Sequence, residues 1–507
     1  MSSADGKATK QCKRLVLLLK RLGTFETTTG LNRRKSVLED IKVLFEAFVR
    51  NLYTPNNVPI PNSNSAVSTV LPFGSYGLGV QSKGSDMDLL CVAPNHVQRS
   101  NFFTTFLEVL RSQPRVSNLT PVEESFVPLI KLNYDSIDVD LVFMRWPSMK
   151  IPNIPVLMSS ENLNFNVKCL RSLNGFRNTV RLLEVVPDAG RFRMTLRAVK
   201  MWAKHRGIYG NALGFLGGYS WSILVAHICQ TYADVDVAEL VLKFFQVFAE
   251  WPWPKPVVVK DPSNVNEFNS ICTTDVMPII TLAHPKRNSS FNVTEFTKRI
   301  IRNELYRGAN VVLGVLRGEI IWDTLYEPQR LFKNFEHFVV VKVKGTAENK
   351  AQSLVETKIR LMNMKINEIP DVACVRPFPS NHSGAKNDYL QFPRDSVWLV
   401  GLKFRKSATD EKYTMQSFLN DFAPQLNLFK CNVDVNVNVK YLYNDKMNYY
   451  VQAKHERQTK RNMLVTQDYY SSFDIGDIFI FVISVTLYLF FFVMIYSNSL
   501  KTVMWFV

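Results

Sequence analysis

The sequence predicts an α+β protein built from several domains. A chain of 507 residues exceeds the usual size of a single hydrophobic core, so two to four domains are expected. Strand-like patterns occur on both sides of a long helical block, which separates a first α/β region from a third region. With 46% hydrophobic and 21% charged residues, the composition excludes wholesale disorder, collagen and a multi-span transporter.

The net charge indicates the kind of binding partner, and the cysteine pattern indicates the redox state of the compartment. Lys and Arg number 61 against 44 for Asp and Glu, giving a net charge of +17, which favours nucleic acid or an acidic membrane surface as partner. The seven cysteines are scattered and never form C-x-x-C, which indicates a reducing compartment and argues against a zinc site. The N-terminal MSSADGKATKQCKR has no apolar stretch, so no secretory signal is expected.

The first region, predicted to span residues 1–155, begins with helices. Apolar and charged residues alternate at helical spacing over residues 13–53, which predicts amphipathic helices with a basic outer face. A loop rich in Asn, Pro and Ser follows. Strands are then expected around STVLPF, DMDLLCVA and IDVDLVFMR, with a helix near residues 102–111 between the second and the third.

The second and third regions differ in pattern. Residues 156–328 are predicted to be largely helical, with FRMTLRAVKMWAKHR and YSWSILVAHICQTY on either side of a glycine-bearing turn. Residues 329–465 return to strands: FEHFVVVKVKG and SVWLVGLKFRK are typical of strands and LVETKIRLMNMKI of a helix. A sheet backed by helices is therefore expected in the third region.

The densest chemical signal is the segment LPFGSYGLGVQSKGSDMDLLCVA. Residues two apart on a strand share a face, so Asp86 and Asp88 are expected to present adjacent carboxylates. Their repulsion is relieved where a divalent cation binds, and oxygen ligands suit Mg²⁺ or Mn²⁺. The preceding glycines and Ser75 can bring N–H groups and a hydroxyl to a phosphate. Taken alone, the acid pair is also compatible with a solvated strand end, and the Gly-Ser turn is no more specific.

A third acid follows on the strand predicted within YDSIDVDLVF. Asp138 and Asp140 alternate there with apolar residues. An acid inside an apolar strand is costly unless it is paired or bound to a metal, so at least one of the two should face Asp86 and Asp88. An edge strand with one wet face is the alternative.

Five blocks in order resemble the eukaryotic nuclear poly(A) polymerases, from about residue 23 to about residue 428: FGSYGLGVQSKGSDMDLLCVAP, KLNYDSIDVDLVFMR, RSLNGFR, LRAVKMWAKHRGIYGNALGFLGGYSW and MPIITLAHP. The Gly-Ser, D-x-D and third-Asp core also resembles the DNA polymerase beta-like nucleotidyltransferase superfamily. The resemblance implies a nucleotidyltransferase fold, a helical central domain and a ferredoxin-like RNA-binding domain. It further implies template-independent transfer of AMP from ATP to RNA 3′ ends with two Mg²⁺ or Mn²⁺ ions, in the nucleus, with cleavage and polyadenylation factors as partners.

The resemblance also implies residue roles. Asp86 and Asp88 would bind both metals, and Asp140 would bind the metal that activates the RNA 3′-hydroxyl. The other residues implied in ATP binding are Phe73, Gly74, Ser75 and Ser82 at the phosphates and metal, Lys200 and Tyr209 at the triphosphate, Asn174 at the nucleotide, and Gly218 and Tyr219 in the adenine pocket.

Several of these residues have plainer interpretations. Lys200 could be a solvated helix lysine, Asn174 a cap or turn residue, and Tyr209 a packing residue. Two positions depart from the family pattern: Gly77 replaces an Arg, which should loosen its loop, and Tyr219 replaces a small aliphatic residue, which puts strict adenine selection in doubt. Tyr219 therefore leaves open a second function, that of a terminal uridylyltransferase.

The C-terminal segment has its own pattern. Residues 478–496, IFIFVISVTLYLFFFVMIY, carry no charge and would form about 28 Å of helix, enough to cross a bilayer. A transmembrane segment is therefore predicted within residues 474–497, with the basic run KHERQTKR on the cytosolic or nucleoplasmic side. A buried helix or strand and a translated intron are alternatives. The segment also keeps open a catalytically silent RNA-binding or membrane-tethering protein.

Overall fold

The computed structural model describes residues 2–53, 67–159, 165–260, 275–329, 331–344, 348–378, 396–405, 415–422 and 436–443. All of these lie in one compact unit. Within them, no helix combines the length and apolar character needed to cross a bilayer. The segment 478–496 lies outside the described residues, so its membrane insertion stays a prediction.

The two N-terminal helices pack in different places. Leu15, Leu18 and Leu19 of the first helix are buried in the core of the helical region, although they precede the first strand. Gln11 attaches this helix to the helical region, because its Nε2 donates to the Val315 carbonyl at 2.8 Å. The second helix instead covers the first sheet. These helices are α1 Ser2–Arg21 and α2 Thr28–Asn51.

A five-stranded sheet forms the first region, in the order β1-β2-β5-β4-β3. The pair β2 and β5 is parallel, and the other pairs are antiparallel. One helical stretch over residues 99–111 confirms the predicted helix and includes a π-helical segment Phe102–Phe106. The elements are β1 Thr69–Phe73, α3 Gly74–Gly77, β2 Met87–Ala93, α4 Arg99–Asn101, α5 Leu107–Arg111, β3 Val116–Val122, β4 Leu129–Tyr134 and β5 Ile137–Arg145.

The central region is helical, as predicted, and three of its long helices begin at side-chain caps. Asp188, Asp236 and Thr294 each accept a hydrogen bond from the third residue of the helix that follows. Trp202 and Trp221 lie edge to face at its centre, with ring centroids 5.6 Å apart. The helices are α6 Ile154–Met158, α7 Val167–Val185, α8 Ala189–His205, α9 Gly218–Thr231, α10 Val237–Ala249 and α11 Glu295–Arg317, followed by a 3₁₀ helix Trp322–Tyr326.

The third region has the order of elements of a ferredoxin-like fold. Its antiparallel sheet has the order β7-β8-β6-β9, and a helix covering residues 415–422 precedes the last strand. The chain order is thus βαββαβ, which confirms the predicted fold class. The elements are α12 Leu331–Asn334, β6 His337–Lys344, α13 Glu348–Asn367, β7 Val372–Phe378, β8 Ser396–Phe404 and β9 Asn436–Tyr443.

Candidate active site

Three acids meet at two adjacent interior strands of the first sheet, β2 and β5. Asp86 lies immediately before β2, Asp88 is its second residue, and the parallel register places Asp140 of β5 beside Asp88. One carboxylate oxygen from each residue lies within 4.8 Å of the others. The structure therefore brings together the three acids that the sequence singled out.

The charges in this cluster are not balanced within the protein. Burial, followed by the charges of Asp86 and Asp140, raises the pKa of Asp88 to about 8. Burial also raises the pKa of Asp140, although Lys131 opposes this with its Nζ 3.0 Å from Asp140 Oδ2. Asp138 is not one of the three clustered acids, and its Oδ1 accepts a hydrogen bond from Asn133 at 2.9 Å, although its charge contributes to the raised pKa of Asp140. Three carboxylates with this surplus of negative charge fit a divalent metal bound through oxygen.

Lys131 is a site residue that the sequence interpretation missed. It lies directly opposite Asp140 in the antiparallel pair of β4 and β5. The turn between the two strands could have identified it. Asp135 and Ser136 both have positive φ and form the two-residue turn that fixes this register. Counting outward from the turn pairs Lys131 with Asp140.

The glycine turn after β1 is in contact with the acids. Gly74 has a φ of +60°, and a Cβ built on it would lie only 2.0 Å from Asp88 Oδ2, so a side chain there would displace the carboxylate. Its N–H donates to Thr179 Oγ1 at 3.1 Å. The hydroxyl of Ser75 is buried without a partner among the described residues. This orphaned hydroxyl is suited to a phosphate oxygen or a metal-bound ligand.

Three arginines hold the loop that leads from this turn to Asp86. Arg193 Nε donates to the Leu78 carbonyl at 2.8 Å, and Arg197 donates to the carbonyls of Gly79 at 2.8 Å and Gln81 at 2.9 Å. Arg34 of α2 donates to the Ser85 carbonyl at 2.7 Å. Ser82 lies in this loop. These contacts could not be predicted from the sequence, because arginines on the polar face of a helix usually meet solvent.

The central region contributes Lys200 and Tyr209 opposite the acids. Burial lowers the pKa of Lys200 to about 8 with help from Lys204, and the nearby Asp86 and Asp88 oppose this. Burial and then the same two acids raise the pKa of Tyr209. A Cβ on Gly218 would lie 2.5 Å from Tyr209 Oη, so glycine leaves room for this hydroxyl. Lys200 is thus half-buried and close to the acids, and its role at the triphosphate stays a prediction.

The residues predicted at the nucleotide base surround the loop over residues 277–285. Asn174 Nδ2 donates to the His284 carbonyl at 3.2 Å, whereas its Oδ1 is buried without a partner among the described residues. The Tyr219 hydroxyl donates to Asn178 Oδ1 at 2.7 Å. Gly175 allows Phe73 to pack against α7, because a Cβ there would lie 2.8 Å from the Phe73 ring. Asn174 thus retains a free acceptor, whereas the Tyr219 hydroxyl already has a protein partner.

Comparison with known proteins matches this arrangement to one family. The family model described as the poly(A) polymerase nucleotidyltransferase domain matches residues 2–186, and that of the poly(A) polymerase central domain matches residues 191–328. The poly(A) polymerase PAPa of Candida albicans is 35% identical over 380 residues, covering 72% of this chain and 68% of that protein. The chain belongs to the poly(A) polymerase family.

Other comparisons agree in part. The poly(A) polymerase PAPalpha of Candida albicans is 34% identical over 385 residues, covering 73% of this chain and 68% of that protein. A solved cytoplasmic RNA terminal U-transferase is 16% identical with a TM-score of 0.45, covering 63% of this chain and 99% of that one. A similarity that weak carries no argument about base choice.

One expected departure from the poly(A) polymerase pattern has a different consequence in the structure. Gly77 was expected to loosen its loop. Instead, it is closely packed at the end of α3: a Cβ there would lie 2.9 Å from both the Pro72 carbonyl oxygen and Thr179 Cγ2. This backbone arrangement leaves no room for a side chain between α3 and α7.

Proposed function

We propose that this chain is a polynucleotide adenylyltransferase that transfers AMP from ATP to RNA 3′ ends without a template. The observation that carries the proposal is the cluster of Asp86, Asp88 and Asp140 facing Lys200 and Tyr209, in a member of the poly(A) polymerase family. Nuclear mRNA 3′-end processing with cleavage and polyadenylation factors is the setting that we propose on family grounds.

The three carboxylates would hold two divalent ions, Mg²⁺ or Mn²⁺. When bound, such ions activate the attacking oxygen and neutralise charge on the leaving group. The RNA 3′-oxygen forms a bond to the α-phosphorus of ATP, the bond from that phosphorus to the bridging oxygen breaks, and pyrophosphate leaves. Asp140 assists removal of the proton from the 3′-hydroxyl.

The other residues position the nucleotide. Lys200 places a point charge against the triphosphate, and Tyr209 lies beside it. The Ser75 hydroxyl, which has no partner among the described residues, donates to a phosphate oxygen, and Gly74 and Ser82 line the same turn and loop. Asn174 Oδ1 accepts from the exocyclic amine of adenine, with Phe73, Gly218 and Tyr219 nearby. This polarity favours adenine over uracil, because the uracil 4-carbonyl has no N–H to donate.

A single-nucleotide extension assay tests the proposal. Purified full-length protein is incubated with an oligo(A) primer, Mg²⁺ or Mn²⁺, and each NTP alone. We expect extension with ATP and little with UTP. The Asp140→Ala variant should lose about 10³-fold or more in rate, because a metal ligand at the attacking oxygen is lost.

Asp138→Ala is the matched control, since Asp138 lies two residues away on the same strand but bonds Asn133. It should retain activity within about tenfold of wild type. Near wild-type extension by Asp140→Ala, or equal losses in both variants, would reject the assigned site. Extension with UTP alone would instead identify a uridylyltransferase.

A further inference from the structure

A helix of the third region rests against the turn that presents Tyr209. Gly214 of this turn has a φ of +85°, and a Cβ built on it would lie 3.3 Å from Arg360 Cδ of α13. The same Cβ would lie 3.1 Å from the Asn292 carbonyl oxygen and 3.3 Å from Thr297 Cγ2. The turn is therefore supported by the central region on one side and by the aliphatic stem of Arg360 on the other.

The turn transmits its position to the nucleotide site through short backbone contacts. Phe215 N donates to the Gly210 carbonyl at 3.1 Å, and Gly210 N donates to the Leu216 carbonyl at 3.1 Å. Tyr209 pairs with Leu216 as an isolated bridge, and Gly218 lies under the Tyr209 hydroxyl. A shift at Gly214 would thus move Tyr209 relative to Asp86 and Asp88.

The third region is held firmly enough to act as a support. Arg376 of β7 donates to the Arg206 carbonyl at 2.7 Å, and Arg206 donates to Glu304 Oε2 of α11 at 2.8 Å, all three side chains being buried. Arg299 of α11 also donates to Asn367 Oδ1 of α13 at 3.1 Å. These bonds attach the C-terminal end of α13 and strand β7 to the central region.

The contact of Arg360 with the turn is one of packing. One terminal nitrogen of its guanidinium is buried without a partner among the described residues, as are both amide atoms of Asn363 one turn further along α13. A hydrogen bond from that nitrogen therefore does not define the contact. The stem at Cδ, which faces Gly214, does.

We propose that Arg360 is a positioning residue for ATP: the third region supports the nucleotide-contacting turn through this side chain. The inference rests on the proposed function, because it assigns Tyr209 and Gly218 to the nucleotide site. It implies that the third region contributes to ATP affinity without touching ATP.

The test compares three variants of the full-length protein. Arg360→Ala removes the stem and should raise the KM for ATP about fivefold, with the KM for primer unchanged. Arg360→Lys keeps the methylenes and should restore the KM for ATP to within about twofold of wild type. Arg299→Ala, which removes a bond to the same helix without touching the turn, should also stay within about twofold.

Hydrogen exchange of the peptide covering residues 207–217 gives a readout independent of activity. Its amides should exchange faster in Arg360→Ala than in Arg299→Ala. An unchanged KM for ATP, or an increase confined to the KM for primer, would overturn the proposal. So would failure of Arg360→Lys to restore the KM for ATP.

Two controls keep the test decisive. If Arg360→Ala does not fold, Arg360→Val, which removes Cδ but retains apolar bulk close to the backbone, is measured against the same expectations. If the wild-type protein adenylates no primer, the proposed function fails, but the exchange comparison still decides whether Arg360 supports the turn.

Discussion

Asp88 is a half-buried carboxylate and Glu304 a buried one, and their surroundings shift their pKa values in opposite directions. Burial and two neighbouring acids raise the pKa of Asp88 to about 8. Burial also acts to raise the pKa of Glu304, but Arg206 and Arg376 outweigh it, and the pKa is lowered. Like charges surround one carboxylate and opposite charges the other.

The difference separates a binding site from a structural junction. Glu304 has its compensating charges inside the protein, where it joins α8, α11 and β7. Among the described residues, Lys131, Lys200 and Lys204 partly offset the negative charge of the cluster around Asp88, yet the pKa of Asp88 stays raised. The three carboxylates of the cluster therefore fit a divalent metal, whereas the carboxylate at the Glu304 junction already has its counter-charges inside the protein.

The largest stability effect is expected at the junction. Glu304→Gln leaves Arg206 and Arg376 buried without their counter-charge and should lower the free energy of unfolding by about 3 kcal/mol at pH 7. Urea denaturation measures this. Because the pKa of Glu304 is lowered in the folded state, the wild-type advantage is present above the unfolded pKa and is lost as pH falls through the folded value.

Glu295→Gln is the control for this change. Glu295 lies in the first turn of the same helix and pairs with Lys298 at an exposed position. The loss there should be below about 1 kcal/mol. Equal losses in the two variants would show that the buried junction has no special energetic role.

The Asp88→Asn variant should have the opposite effect on stability. In EDTA at pH 8 we expect it to be more stable than wild type by about 2 kcal/mol, while nucleotide transfer is lost. The folded pKa of Asp88 is raised, so the wild type binds a proton more tightly when folded, and its stability falls as pH rises from about 4 towards 8. The advantage of the variant should therefore vanish near pH 4.

Lys200 also titrates near pH 8, and the charge of Asp88 acts to raise its pKa, so the difference between wild type and variant reports the coupled pair of Asp88 and Lys200. Asp138→Asn, outside the cluster, should show no comparable gain. Added Mg²⁺ should stabilise the wild type and not Asp88→Asn. A wild-type stability independent of pH in EDTA would contradict the proposed surplus of negative charge.

Strand periodicity and the family resemblance together predicted the acids of this site and the fold class. The two-residue alternation of Asp86 and Asp88, and of Asp138 and Asp140, requires only local geometry, and the parallel register of β2 and β5 then brings the correct pair together. The order of the ferredoxin-like sheet came from the resemblance. Periodicity alone gave only strands and a helix there.

The contacts between distant segments could not be predicted in the same way. α1 packs on the central region, and Arg193 and Arg197 bind carbonyls of a loop in the first region. Each of these contacts joins residues more than 100 positions apart in the sequence. The Glu304 junction likewise joins three segments, none of which has a local signal for it. Periodicity specifies which face is polar but not what that face meets.

Tyr219 tests whether location or bonding decides the role of a polar group. It lies among the residues proposed for the base, yet its hydroxyl donates to Asn178 Oδ1, which also accepts from Ala283 N at 2.8 Å. Because its hydroxyl already has a partner inside the protein, Tyr219 should behave like Glu304 rather than Asp88. Tyr219→Phe should therefore cost about 1 kcal/mol in the free energy of unfolding, the usual value of one buried hydrogen bond.

The same variant should change the ratio of kcat/KM for ATP over UTP by less than about threefold, because the hydroxyl does not read the base. Tyr209→Phe is the contrasting variant, since its hydroxyl faces Gly218 and the acids; it should raise the KM for ATP with a smaller loss of stability. A large loss of ATP preference in Tyr219→Phe with unchanged stability would place its hydroxyl at the base instead. The departure from the family's small aliphatic residue would then control nucleotide choice.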